Sequence, residues 1–275
     1  MQYRMVCSDL DGTLLNNQSE VSEENLQAIE GISKKGVLFV PSTGRSYSEM
    51  PEAIRENPVI RYYICSNGAI VFDKAANKTH MTCIERDKLD RIRSILSPYD
   101  VHITVRRDGR CYVAEGMTDD DVFDHYQMFP AHRDVLKKYG VIVKEFEEFY
   151  HNIEYVDFFT LAFDSEESMR ECRDKLEALG DLRIAMIDER AIEVMNINAG
   201  KGNALCYLTE QLGVSLSETI CVGDSDNDRS IMEIAGLGLA VSNASDALKK
   251  MADEVICSNE EHAITYILDH YFMSV

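Results

Sequence analysis

The sequence predicts an α/β protein: an open parallel sheet interrupted by an inserted α+β segment. Three observations carry that expectation. Short apolar runs alternate with helical patterns in the first third of the chain and again in the last third, which is the rhythm of right-handed crossovers between parallel strands. Runs such as Val37–Val40 are apolar without alternation, as strands covered on both faces are. The middle third breaks the rhythm with a hairpin pattern and acidic helical stretches. With 275 residues, 45% of them hydrophobic, the chain is long enough for one large domain or two smaller ones and is neither disordered nor a disulfide-stapled miniature.

In chain order, Tyr3–Ser8 reads as the first strand. Ser22 is placed to cap a helix with Leu26, Ile29 and Ile32 on one face, and Gly36 to stop it. Val37–Val40 is the second strand, Tyr47–Glu56 a helix and Arg61–Cys65 a third strand. In the middle, Val101–Arg106 and Arg110–Ala114 form a hairpin across Arg107-Asp108-Gly109. Asp119–Phe129 and Glu166–Leu179 are acidic helices, and Asp157–Phe163, Arg183–Ile187 and Ala191–Asn196 are strands. The last third gives a helix at Asn203–Leu212 stopped by Gly213, then strand Thr219–Val222, helix Asp228–Ile234, strand Leu237–Val241, helix Asp246–Met251, strand Glu254–Cys257 and a closing helix Glu260–Phe272. The expected division is residues 1–81 and 197–275 for the parallel-sheet core, with 82–196 inserted.

Charge and cysteine usage narrow the function. Lys and Arg number 28 against 48 Asp and Glu, a net charge of −20. That argues against nucleic acid and against anionic membranes as partners, and it means that an anionic substrate needs a local cationic pocket. The eight cysteines form no C-x-x-C pair and several sit within apolar runs, so buried thiols in a reducing cytoplasm are expected. No signal pattern or run of roughly 18 apolar residues is present.

Four motifs fall at predicted carboxyl ends of strands or in the loop beside one, where open parallel sheets bind ligands. Asp9-Leu10-Asp11-Gly12-Thr13 follows the first strand. Its two close carboxylates call for a cation or a raised pKa, although alone the motif also suits a solvated Asp-Gly turn. Ser42-Thr43-Gly44-Arg45 follows the second strand and offers a hydroxyl, backbone N–H groups and a helix start, a phosphate cradle or an ordinary turn. Gly200-Lys201-Gly202 opens a helix and lets a point charge approach an anion closely. Gly223-Asp224-Ser225-Asp226-Asn227-Asp228 gathers acids suited either to a hard cation or to capping the next helix. Together they supply a nucleophile, a second acid, a hydroxyl, a lysine and a magnesium site.

In this order and loop context the set resembles the haloacid dehalogenase superfamily. The inserted segment resembles the cap domain of its Cof-type, class IIB large-cap phosphatases, on a Rossmann-like core. The resemblance implies Asp9 as nucleophile, Asp11 as general acid and base, and Lys201 as the charge-offsetting group. It implies Thr43, Gly44, Arg45, Asn67 and Asn227 as phosphate or substrate contacts. Mg²⁺ would be held by Asp9, Asp224 and the backbone carbonyl of Asp11, with Asp228 orienting the metal shell or Lys201. An acid at Asp11 resembles phosphatases and mutases, whereas ATPases of the superfamily typically carry threonine. The chain departs from the pattern at Asp226, where relatives usually have Glu, and at Glu261-His262-Ala263, where many have Asp-Gly-Val.

The expected activity is Mg²⁺-dependent hydrolysis of a small phosphorylated metabolite, with a sugar-phosphate mutase as the alternative and a non-catalytic regulatory member behind it. The cap is expected to close over the site and choose the substrate, and no obligate protein partner is evident. Arg106, Arg107 and Arg110 at the hairpin tip are either a substrate contact or a solvated turn. His102, His125, His132 and His151 lack ligand spacing and are expected on the surface or satisfied in the core.

Overall fold

The computed structural model describes residues 3–273. The chain forms two compact units. The first comprises the residues up to Arg45, Met50–His80 and those from Gly200 onward; the second comprises Ser46–Glu49 and Met81–Ala199.

The first unit is built on a five-stranded sheet in the order Glu254–Ile256, Leu237–Val241, Thr219–Gly223, Met5–Ser8, Leu38–Pro41. Every ladder is parallel. Met5–Ser8 lies between Thr219–Gly223 and Leu38–Pro41 and is buried throughout, as a largely apolar strand covered on both faces is. Ser8 lies level with both Val222 and Pro41, so the carboxyl ends of three strands finish at one edge. Tyr62–Cys65 follows beside Leu38–Pro41, where Thr43 N–H donates to Ile64 O at 2.9 Å. It then turns back into an antiparallel pair with Ile70–Asp73 instead of opening another parallel crossover.

Ser22 caps helix Glu23–Lys34 by accepting from Asn25 N–H. The buried face of that helix is Asn25, Ala28, Ile29 and Ile32. Leu26 lies only half-buried, because Asn25 turns inward to donate to Leu14 O and accept from Ile264 N–H. The helix expected at Tyr47–Glu56 is broken. A tight turn at Tyr47–Glu49 precedes a helix of only Glu52–Arg55, because Pro51 has no N–H to give an interior turn and sits at the cap instead. The closing helix starts late, at Ala263, after a left-handed His262 (φ 64°).

The second unit carries a six-stranded sheet: Leu182–Met186, Ala191–Asn196, Phe158–Phe163, Val101–Arg107, Arg110–Ala114, Gly140–Val143. All its neighbours are antiparallel except the last pair. Helices Arg86–Leu96 and Glu166–Glu177 bury Leu89, Ile92, Met169 and Leu176 against Phe159, Leu161 and Phe163 on one face. Asp120–His125 and Pro130–Tyr139 bring Phe123, Tyr126 and Leu136 onto Cys111, Ala162 and Ala191 on the other.

Two sequence expectations for this unit are corrected. Arg106 is neither solvated nor free: it is 5% exposed, paired with the buried Glu49, and its guanidinium lies 5.5 Å from the centre of the Phe158 ring. His132 is buried, yet its Nε2 has no hydrogen-bond partner, so it is not a satisfied core histidine. His102 is buried with Nε2 2.8 Å from Met117 O but its Nδ1 likewise has no partner, while His125 and His151 lie at the surface beside Asp100 and Glu147. All eight cysteines are free, five of them buried. No described helix is long and apolar enough to cross a membrane.

Candidate active site

The carboxyl edge of the parallel sheet gathers most of the singled-out residues. Asp9 leaves Met5–Ser8 with its N–H on Val222 O at 3.0 Å and is 5% exposed. Gly12 then turns the chain at φ 75°. A side chain there would meet Asp224 Oδ2 at 2.6 Å, so only glycine lets the two loops meet. Asn243, which the sequence reading passed over, fixes this turn by donating to Gly12 O at 2.8 Å. The signal was its position just past the Leu237–Val241 strand, at the same edge.

Lys201 is 1% exposed. Its Nζ donates to Asp9 Oδ1 and Asp228 Oδ1, each at 2.7 Å, and to Asn227 Oδ1 at 3.3 Å. Burial opposes its charge, but the facing carboxylates of Asp228 and Asp9 outweigh that and hold the ammonium above its usual pKa. Asp228 is fully buried, and its Oδ2 accepts from the backbone N–H groups of Asp224 and Ser225. A Cβ on Gly223 would fall 2.3 Å from the Asp228 carboxyl carbon, which makes that glycine part of the seat.

Carboxylate oxygens of Asp9, Asp224 and Asp228 lie within 4.8 Å of one another. Burial first, then repulsion from Asp228, pushes the Asp224 pKa up to about 6. Burial likewise raises that of Asp9, against the pull of Lys201 and with the push of Asp228 and Asp224. Asp224 Oδ1 is buried with no hydrogen-bond partner. Three carboxylates around one ammonium, with an orphaned oxygen among them, form a set compatible with a divalent cation.

Thr43 is buried, and its Oγ1 accepts from Arg45 N–H at 3.1 Å, which leaves its O–H to donate. Gly44 lies against the Asn67 side chain, and Asn67 Oδ1 accepts from Asn227 Nδ2 at 3.2 Å. The Ser66-Asn67-Gly68 loop takes three successive positive φ angles. A Cβ on Gly68 would meet Gly200 O at 2.2 Å, so this loop presses on the start of the Lys201 helix. Asp11 stands apart from the triad with its side chain 52% exposed. Arg45 grips it with Nε at 2.8 Å and a second guanidinium nitrogen at 2.5 Å. The structure thus joins Arg45 to Asp11 instead of leaving it free for phosphate. Asp226 is exposed.

A family model described as haloacid dehalogenase-like hydrolase matches residues 6–268. Phosphatase YwpJ of Bacillus subtilis is 29% identical over 282 aligned residues, covering 97% of this chain and 99% of that one. A 5-amino-6-(5-phospho-D-ribitylamino)uracil phosphatase of the same organism, YcsE, is 25% identical, covering 99% and 97%. Among solved structures, a haloacid dehalogenase subclass IIB sugar phosphatase superposes with a TM-score of 0.79 at 22% identity, over 98% of each chain. At that identity the likeness is one of fold.

Proposed function

The chain belongs to the haloacid dehalogenase-like hydrolase family, and we propose that it is a Mg²⁺-dependent phosphatase of small phosphorylated metabolites that works through an aspartyl phosphate on Asp9. The observation that carries this reading is the buried Lys201 ammonium held 2.7 Å from both Asp9 and Asp228. It fixes a carboxylate at the strand end and leaves it beside a positive charge in a site from which water is largely excluded.

The Asp9 carboxylate attacks phosphorus and Asp11 protonates the departing oxygen. Asp11 then takes a proton from the water that hydrolyses the acyl phosphate. The Thr43 hydroxyl and the Gly44 N–H hold the phosphoryl oxygens, joined by Asn67 and Asn227 at the rim. Lys201 offsets the negative charge of nucleophile and phosphate, and Asp228 positions Lys201. Arg45 orients Asp11. Asp9, Asp224 and the Asp11 carbonyl would hold Mg²⁺, supported by the crowded carboxylates and the orphaned Asp224 Oδ1; when bound, the ion would lower the repulsion between carboxylate and phosphate.

The relative YcsE points to phosphomonoesters of ribityl type. Substrate choice falls to the inserted segment, 82–196 in the sequence reading, by analogy with large caps. If so, Arg107→Ala shifts kcat/KM among substrates, and unchanged values across the panel remove that residue from specificity. Buried free cysteines are in keeping with a cytoplasmic enzyme.

The test is phosphate release, with and without Mg²⁺, from hexose phosphates, pyridoxal phosphate, flavin mononucleotide and a ribitylaminouracil phosphate. Mg²⁺-dependent release from one group supports the reading. Phosphate transferred between sugar hydroxyls without release would replace it with a mutase, and folded protein inert on every substrate would overturn catalysis.

A further inference from the structure

We infer that the Gly140–Val143 strand is a self-pairing edge on which a second copy of this chain docks antiparallel, giving a two-fold dimer. The strand is the last in its sheet and is bonded only to Arg110–Ala114. Glu115 N–H donates to Val143 O at 3.2 Å, so Val143 and Val141 turn their peptide groups toward Arg110–Ala114. Peptide groups alternate sides along a strand, so Ile142 turns its N–H and C=O outward, where nothing among the described residues pairs with them. Val141 and Ile142 are 37% and 46% exposed. Open strand edges are ordinarily blunted by shortness, a charge, a proline or a bulge; this one is short, but within Gly-Val-Ile-Val it has no charge, proline or bulge.

The flanks select the occupant. Lys137, which within its own chain pairs with the exposed Asp120 at 2.5 Å, and Lys138 end the preceding helix, while Glu147 and Glu148 begin the following one. Antiparallel pairing centred on Ile142 lays the basic flank of one copy against the acidic flank of the other. It also sets Val141 opposite Val143, and Lys144 opposite Gly140, which has no side chain to obstruct it. Parallel pairing would bring the lysines of one copy to those of the other and is disfavoured. The same patch serves both copies, so the contact closes after two. A single short strand buries less than the roughly 1,200 Å² of a standard interface, so a Kd on the order of 10–100 µM is expected.

The test is sedimentation of the full chain across that concentration range, together with hydrogen exchange at the Ile142 amide. A reversible monomer–dimer equilibrium is expected, with the Ile142 amide exchanging more slowly as concentration rises. Ile142→Lys is expected to weaken association by at least about tenfold while leaving phosphate release unchanged. Should that variant misfold, the exchange data on the unmodified chain decide the matter. A chain that stays monomeric throughout would overturn the inference, as would a dimer whose Ile142 amide exchanges at the same rate at every concentration. Open-ended polymers would overturn it too, and would point to pairing with the opposite edge strand, Leu182–Met186.

Discussion

Replacing Asp9 with asparagine removes the attacking oxygen charge while keeping the side chain's size, so kcat is expected to fall by about 10⁴-fold or more. Single-turnover phosphate release measures it; near-normal activity would remove Asp9 from its role. Arg45→Ala is expected to slow turnover by about tenfold through a misplaced Asp11, with little change in stability, because the ion pair it breaks is half exposed and worth about 0–1 kcal/mol. The same assay paired with thermal melting separates the two effects. At this scale the sequence was most informative where chemistry crowds into a few consecutive positions. Asp9 with Asp11, and Asp224 with Asp228, stand out because close carboxylates at a strand end repel and so call for a cation or a raised pKa. The Arg45–Asp11 pair, 34 residues apart, and the Asn243 tether, 231 residues from Gly12, were invisible. Arg45, Asp11 and Gly12 each stand in a local motif and Asn243 stands just past a strand, but no local pattern joins one partner to the other; only the sheet brings them together.

Between residue and domain, the Ser66-Asn67-Gly68 loop is the element most sensitive to change. Gly68→Ala places a methyl group on Gly200 O in a left-handed backbone. It is expected to cost about 2 kcal/mol or more, read as a fall in Tm together with a raised KM as Asn67 shifts. The Pro130–Tyr139 helix supplies the pH dependence. Burial above all, then Arg106 and His102, pushes the pKa of His132 down to about 3. Between about 6.5 and 3 the unfolded chain binds a proton that the folded chain refuses, so stability is full above that window and falls as the pH drops through it. At pH 5 the loss from this one group is about 2 kcal/mol. Comparing melts of the native chain and His132→Phe at pH 7 and pH 5 checks the slope, which should be shallower in the variant. The helix itself was missed from sequence, because Asp119–Phe129 read as one continuous stretch. The real break comes at Gln127, which takes φ 50° before Pro130 opens a new helix. A glutamine in that backbone gives no sequence warning, whereas Pro51 marks the break in Tyr47–Glu56 within the sequence itself.

For the molecule as a whole, the net charge of −20 sets the response to salt. An anionic substrate approaches a repelling body, so kcat/KM is expected to rise as ionic strength goes from about 10 mM to about 150 mM and the screening length shortens to about 8 Å. Removing divalent cation with a chelator is expected to lower Tm, since three mutually repelling carboxylates within 4.8 Å lose the ligand that stabilises only the folded state. The parallel sheet was legible because its strands are short, mostly apolar runs with a turn signal behind them. The second sheet was legible only in part. Its order depends on distant pairings, and Gly140–Val143, four residues between two helices, shows neither alternation nor a flanking glycine–proline signal strong enough to mark a strand.

The Met5–Ser8 strand is paired on both sides, with one neighbour near it in sequence and the other, Thr219–Gly223, near the far end of the chain. During synthesis it therefore emerges early and waits. Lys201 follows Asp9 by 192 residues, on the order of 10–40 s at ordinary elongation rates. In that interval the amino-terminal strands have an unpaired edge, while the segment between them and the rest of their sheet leaves the ribosome in one uninterrupted length and is free to fold first. A chain cut short anywhere before Asp228 would carry Asp9 without the seat that holds Lys201 beside it.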